Sequence, residues 1–197
     1  MKLNWNNQHF DFECVLLHFE DGTHTNVFSR KNNTTLGETI MHRRYASLAT
    51  KARRQYPQQL STPIGAFLMG LKTIGDNFYL DFLNLYGDLK YSKFCIEDES
   101  ILGRRGLYIF ANNDGLLYLG RCKGSFGSRI NQGYGTIHPK NCFIDGQATN
   151  CHINSLITGC DGKIQLMVCP IDDEPTIDSA ETGLIQNYRP PWNIQGI

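Results

Sequence analysis

Residues 106–120 read Gly-Leu-Tyr-Ile-Phe-Ala-Asn-Asn-Asp-Gly-Leu-Leu-Tyr-Leu-Gly: two short apolar runs, each holding a tyrosine, joined by turn-forming residues. Two strand-like runs this close in sequence are expected to pair as an antiparallel hairpin. Side chains on a strand alternate faces, and directly opposed residues share a face. If Tyr108 stands opposite Tyr118, both phenols point the same way. That register calls for an odd-numbered loop, Asn112-Asn113-Asp114, with Gly115 at positive φ. A two- or four-residue loop would send the phenols to opposite faces. Tyrosine pairs in hairpins are commonly packing, but a buried phenol needs a hydrogen-bond partner, so this face should hold other polar groups.

A short helix from Ser125 follows, leading to Asn-Gln-Gly-Tyr-Gly. A second helix is expected near 149–158, and a third strand in Gly-Lys-Ile-Gln-Leu-Met-Val-Cys-Pro-Ile, whose apolar run suggests cover on both faces. The last helix starts near Pro175 and ends before Pro190-Pro191. The order β-β-α-α-β-α predicts an α+β fold over 104–197, with a small three-stranded, mostly antiparallel sheet flanked by helices. A polar junction near 96–105 sets the boundary, and residues 1–103 read as a mixed N-terminal extension. Within it, 8–29 reads as a hairpin turning at Asp21-Gly22. Residues 61–75 read as a helix capped by Ser61 or Thr62, with Ile64, Phe67, Leu68 and Leu71 inward. Residues 78–86 stay open between helix and buried strand.

Lys+Arg and Asp+Glu both total 19, so any basic footprint must be local. Residues 29–55 hold seven Lys/Arg against the single acid Glu38. At helical spacing Met41, Tyr45, Leu48, Ala49 and Ala52 share one face, and Arg43, Arg44, Lys51 and Arg54 cluster on the other. That face is either a solvated surface or a contact for the phosphate backbone of DNA. A membrane-surface helix would carry a larger aromatic apolar face. No run approaches the ~18 apolar residues of a membrane span, and the first ten residues lack the apolar centre of a signal peptide. No membrane association is expected. Seven cysteines, an odd number without a Cys-x-x-Cys pair, predict a reduced, cytoplasmic protein with ordinary buried thiols. Cys142, Cys151, Cys160 and Cys169 repeat every nine residues with His138 and His152 interspersed, which matches no common zinc pattern.

The last helix holds an anomaly. Ile177, Ala180, Leu184, Ile185 and Tyr188 form its apolar stripe, and helical spacing puts Glu181 inside that stripe. A bare buried carboxylate costs several kcal/mol. Glu181 therefore has an arginine partner, stands at the end of the buried face, or binds a divalent cation. Asp172, Asp173 and Glu174 precede the helix, where acids complement the positive N-terminal dipole. They read as structural, which leaves one carboxylate and one metal.

Gly-Leu-Tyr at 106–108, Tyr-Leu-Gly at 118–120, Arg129 on the next helix, Glu181 on a late helix and a closing Pro-Pro-Trp-Asn with Asn193 together resemble the GIY-YIG nuclease family. The two name-giving tripeptides each carry an Ile→Leu change. The likeness covers roughly 106–193, and the ending Pro-Pro-Trp-Asn-Ile-Gln is similar to the phage endonuclease II branch and some restriction enzymes. The resemblance implies roles. Tyr108 would orient the attacking water, or deprotonate it as phenolate. Tyr118 would hydrogen-bond around nucleophile or phosphate. Arg129 would stabilise the five-coordinate phosphorane, Glu181 would bind the metal, and Asn193 would help hold the site together. Many members carry a His or Tyr one helical turn after the arginine. Here Gly133 takes that place, and Tyr134 is the candidate for the missing group, ahead of His138.

The implied activity is a divalent-metal-dependent DNA endonuclease of the type II restriction kind, with one Mg2+ (or Mn2+) per site. The implied partner is double-stranded DNA, contacted by Arg43, Arg44, Lys51, Arg54 and Lys123. A homodimer or higher homo-oligomer is expected, the extension contributing to both. A low-specificity repair, recombination or phage nicking enzyme and a non-catalytic DNA-binding module on the same fold are the alternatives. The residue chemistry points the same way: phosphodiester hydrolysis needs a positioned water, charge stabilisation and usually a divalent ion.

Overall fold

The computed structural model describes residues 1–194. Its first elements are β1 (Lys2–Trp5) and β2 (Gln8–Asp11), a hairpin turned at Asn6-Asn7. Both turn residues have positive φ, the conformation that two-residue hairpin loops demand and asparagine tolerates. β3 (Glu13–Val15) and β4 (His18–Phe19) follow. The hairpin expected over 8–29 does not form. β4 pairs instead with β5 (Phe94–Cys95), and Asp21-Gly22 bends the chain without joining two strands. An isolated two-stranded hairpin is marginal in water, and these short strands find distant partners.

The middle of the chain is helical. α1 (Leu36–Met41) starts at a reciprocal capping box between Thr35 and Glu38. His42 is extended, and a 3₁₀ turn (Arg43–Tyr45) leads to α2 (Ala46–Gln55). The basic segment is thus two helices broken at His42. Tyr45 and Ala52 are buried as expected, but Met41, beyond the break, is 77% exposed. α3 (Ile64–Thr73) buries Ile64, Phe67, Leu68 and Leu71. Neither Ser61 nor Thr62 caps it. Pro63 stands at the cap, and the carbonyls of Thr34 and Lys31 accept from the Ile64 and Gly65 amides, which satisfies donors a side-chain cap would otherwise serve. The ambiguous 78–86 segment falls mostly in a 3₁₀ helix, Asn77–Phe82, with Phe78, Tyr79 and Phe82 inward.

α4 (Glu99–Leu102) precedes the tyrosine hairpin, β6 (Gly106–Asn112) and β7 (Gly115–Cys122). A π-helix (Ser128–Tyr134), α5 (Ala148–Gly159), β8 (Gln165–Pro170) and α6 (Glu174–Tyr188) complete the described chain. The architecture is α+β, and the main sheet is antiparallel throughout. It has four strands rather than three, in the order β3-β8-β6-β7, because β3 from the N-terminal region pairs with β8. β6 and β8 lie inside the sheet and are buried along nearly their whole length. Leu107, Ile109 and Leu119 share one core with Ile177, Ala180 and Leu184 of α6 and with Leu3, Phe10 and Phe12.

By packing, the chain divides into two compact units. Residues 1–21, 92–136 and the described residues from 156 onward form one, and 22–91 with 137–155 form the other. The division does not fall at 103/104. The N-terminal strands belong with the main sheet, because β3 and β4 find their partners in β8 and β5. Among the described residues no helix is long and apolar enough to cross a membrane.

β7 is an edge strand, and such edges expose unpaired backbone groups. Here they are covered by residues from the end of the chain. Trp192 N–H donates to the Leu117 carbonyl at 2.9 Å. The Asn193 side chain pairs with Leu119 as a strand would: the Leu119 amide donates to Oδ1 at 3.0 Å and Nδ2 donates to the Leu119 carbonyl at 2.8 Å. Two residues on, the Arg121 amide donates to Glu181 Oε1 at 3.1 Å. Asn193→Ala removes two buried hydrogen bonds and should cost about 2 kcal/mol, at roughly 1 each. Urea denaturation would read that loss, and amide exchange at Leu119 should accelerate.

Candidate active site

The two tyrosines do share a face, by a route different from direct opposition. The loop has only two residues, with Asn112 opposite Gly115. Alone, that parity would put the phenols on opposite faces. A β-bulge at Leu117 shifts the register between Ala111 and Phe110, so that Tyr118 faces Phe110 and Tyr108 faces Gly120. The extra residue restores the parity, and the tyrosines become diagonal neighbours with ring centroids 6.1 Å apart. The glycines that flank them are required by space. A Cβ on Gly120 would lie 2.5 Å from the Tyr108 hydroxyl, and one on Gly106, at φ +144°, would lie 2.2 Å from the Cys169 carbonyl oxygen.

Arg129 and Tyr134 reach this face from the π-helix. In an α-helix, residues five apart point about 140° away from each other. The π-helix bonds i to i+5, as the Gly135 amide to Ile130 carbonyl bond shows at 2.6 Å. It therefore stacks Tyr134 about one turn from Arg129. This explains how Tyr134 takes the one-turn position that a count along an α-helix gives to Gly133. Asn131 fixes the element by pairing with both backbone groups of Ile96, accepting from the amide at 2.8 Å and donating to the carbonyl at 3.0 Å.

The result is a quartet. The Tyr134 hydroxyl lies 2.8 Å from that of Tyr108 and 3.1 Å from that of Tyr118. Arg129 donates through Nε to Tyr108 at 3.0 Å and through Nη2 to Tyr134 at 2.6 Å, and its guanidinium lies 4.4 Å from the Tyr134 ring centre. These four contacts use two guanidinium N–H groups and two phenol protons, so the third phenol proton points outside them. Tyr108 and Tyr134 are fully buried, while Tyr118 is 8% exposed and Arg129 half-buried. Burial first, then the neighbouring phenol, pushes the Tyr108 and Tyr134 hydroxyls above the ordinary tyrosine range, against the pull of Arg129. Both are neutral phenols at physiological pH. Burial opposes the charge on Arg129, yet the ring of phenol oxygens holds the guanidinium protonated.

Glu181 points inward as its place in the α6 stripe predicts, and its side chain is 19% exposed. It has the arginine partner that burial demands. Arg121 donates its backbone amide to Oε1 and sets Nε 3.1 Å from Oε2. The carboxyl is raised by burial, opposed by Arg121, and the charge of Arg129 also acts on it, which ties Glu181 electrostatically to the quartet. Arg121 Nη1 and Lys123 Nζ bind the two oxygens of Asp178 at 2.5 and 2.7 Å. Lys123 is thus engaged with Asp178 on the surface. Tyr188, at the end of the stripe, is exposed and its hydroxyl meets the Asn4 amide at 2.9 Å. Asp173 caps α6, and Asp172 and Glu174 pair with Arg104 and Arg105.

The remaining candidates lie in the other compact unit. The backbone of His138 caps a short 3₁₀ helix by donating to Asn141. Arg43 and Arg54 are exposed, Arg44 donates to the Ile144 carbonyl at 2.9 Å, and Lys51 lies 4.0 Å from the Phe78 ring centre and 3.9 Å from Asp81. Arg121 and Asn131 were not among the expected site residues. Arg121 carried a signal: it stands two residues after Leu119 and must face α6. Gln195, the last residue of the closing motif, lies outside the described residues.

Among the described residues no group of three or more His, Cys, Asp or Glu side chains forms a metal cage. Glu181 fits a divalent ion that keeps most of its waters, the habit of Mg2+, since a carboxylate offers about four lone-pair positions and Arg121 occupies two. Family models, curated proteins and solved structures give no match to this chain.

The raised phenols make stability pH-dependent. Their folded pKa lies above the unfolded value of about 10, so their contribution is complete below pH ~10 and declines as the pH rises further, where only the unfolded chain ionises. Tyr45 and Tyr91, raised by burial, and Tyr56, held at about 12 by its bond to Asp76, add in the same direction. Unfolding free energy measured in urea should fall steadily above pH ~10. The fall should be shallower in Tyr134→Phe, which removes one of the buried phenols.

Proposed function

We propose that this protein is a divalent-metal-dependent DNA endonuclease of the GIY-YIG type, with its active site at Tyr108, Tyr118, Arg129, Tyr134, Glu181 and Asn193. The observation that carries the reading is the convergence of one guanidinium and two other phenols on the Tyr134 hydroxyl, within electrostatic reach of a single inward carboxylate. A phosphodiester under attack gathers negative charge on its non-bridging oxygens, and preorganised donors in a site that excludes water stabilise that charge well. Arg129 is the charged donor and Tyr118 the most accessible phenol. Tyr108, a neutral phenol held by Arg129, orients the attacking water by hydrogen bonding rather than taking its proton. Glu181 would hold Mg2+ or Mn2+, which supplies Lewis-acid stabilisation and activates water. Asn193 holds β7 in register, so that Tyr118 and the Arg121–Glu181 pair keep their places. A type II restriction enzyme acting on double-stranded DNA as a homo-oligomer is the leading form of the activity.

The full burial of Tyr108 and Tyr134 favours a second reading, a non-catalytic DNA-binding module whose quartet is packing. Plasmid and genomic DNA incubated with magnesium separates the readings. Discrete bands indicate a restriction enzyme, nicked circles a nickase, and untouched DNA the binding module. Glu181→Gln retains an oxygen for the Arg121 amide and should abolish cleavage while leaving DNA binding largely intact; wild-type cleavage by this variant would exclude Glu181 as the metal ligand. Arg129→Ala should slow single-turnover cleavage at least ~100-fold. An effect confined to affinity would recast Arg129 as a phosphate anchor.

A further inference from the structure

We infer that the main phosphate-backbone contact of the unit formed by 22–91 and 137–155 is the cluster of Lys31, Arg44 and Lys140 around residues 143–145, rather than the full exposed face of the 41–54 segment. This inference rests on the reading of the protein as DNA-binding.

The three cations come from distant parts of the sequence and are each held by the fold. Arg44 donates through Nη1 to the Ile144 carbonyl at 2.9 Å. Lys140 forms an ion pair with Asp145. Lys31 donates to Thr34 Oγ1 at 2.5 Å and lies 5.2 Å from the Phe143 ring centre. One carboxylate sits among them, and both its oxygens are engaged: Oδ1 accepts from the Tyr45 hydroxyl at 2.5 Å and Oδ2 from Lys140. Glu38, the other acid whose charge reaches Lys31, is tied into the capping box with Thr35. The cluster carries three positive charges against these two occupied carboxylates, and exposed Arg43 adjoins it in sequence.

Lys31 registers the imbalance. Its ammonium is held below the ordinary lysine range, first by burial and then by the charge of Lys140. An anion placed here relieves that repulsion. A phosphate diester has the right charge, and its binding displaces condensed counterions. Held side chains also lose less conformational freedom on binding than free ones.

The test is DNA binding in EDTA, where cleavage does not intervene, followed across a range of salt concentrations. Lys31→Gln gives up its bond to Thr34 and its contact with the Phe143 ring and should reduce the slope of log K against log salt by about 0.9. Lys31→Gln combined with Arg44→Gln should reduce it by about 1.8 and weaken all sequences alike. Lys163→Gln, a charge-matched change at an exposed lysine elsewhere, should leave the slope unchanged. Variants that fold, as judged by circular dichroism, and keep the wild-type slope would overturn the inference. So would variants that lose binding to phosphatidylserine vesicles while binding DNA normally, which would make the cluster a lipid contact. DNA bound with the predicted slopes but never cut in magnesium would leave this inference standing and remove the nuclease reading. Cleavage with unchanged slopes would do the reverse.

Discussion

The Tyr134 hydroxyl is the point on which the candidate site depends. It meets two other phenols and a guanidinium in a buried setting, where a polar group without partners costs about 1–3 kcal/mol. Each partner comes from a different construction: Tyr108 from a central strand, Tyr118 from an edge strand, Arg129 from the same π-helix. Tyr134 meets Arg129 within its own π-helix, but it reaches the other two phenols only when both strands are in place. The bulge at Leu117 and the i→i+5 winding after Ser128 are both departures from regular structure, and both are needed to bring the oxygens within hydrogen-bond distance.

The closure of the β7 edge serves a related purpose. Trp192, Asn193 and Glu181 cover its outward backbone groups in succession. A side chain that satisfies an edge amide has its carboxylate or amide plane fixed by the strand. Glu181 is held in this way and by Arg121, whose charge opposes the rise that burial imposes on the carboxyl. Edge protection and the placing of the Glu181 carboxylate use the same set of bonds.

Much of this was legible in the sequence because it depends on local periodicity. The apolar runs around Tyr108 and Tyr118, the stripe of α6 with Glu181 inside it, and the inward face of α3 are each set by spacing, and each stands where spacing puts it. The failures share a cause: they depended on pairing across long separations or on irregular geometry. Asp21-Gly22 has the composition of a hairpin turn, but β3 and β4 are claimed by strands more than seventy residues away. The fourth strand of the sheet was missed for the same reason. The loop between the tyrosines could not be counted correctly, because a bulge leaves no composition signal. Met41 was assigned to a helix face that ends at His42, where one extended residue breaks the period.

The position of Tyr134 illustrates how such a failure can mislead about function. At α-helical spacing Gly133 stands one turn after Arg129, and the site looks to have lost a group. With a π-turn the next residue takes that place, and the side chain there is a phenol bonded to the guanidinium it follows. The phenol–guanidinium contact forms while the count changes by one. A substitution at Gly133 and an inserted residue in this segment would therefore have different consequences for the site. Gly133 contributes no side chain to the quartet, whereas the i→i+5 winding is what orients Tyr134. A deletion that restored regular α-helical winding with Tyr134 four residues after Arg129 would preserve the pairing.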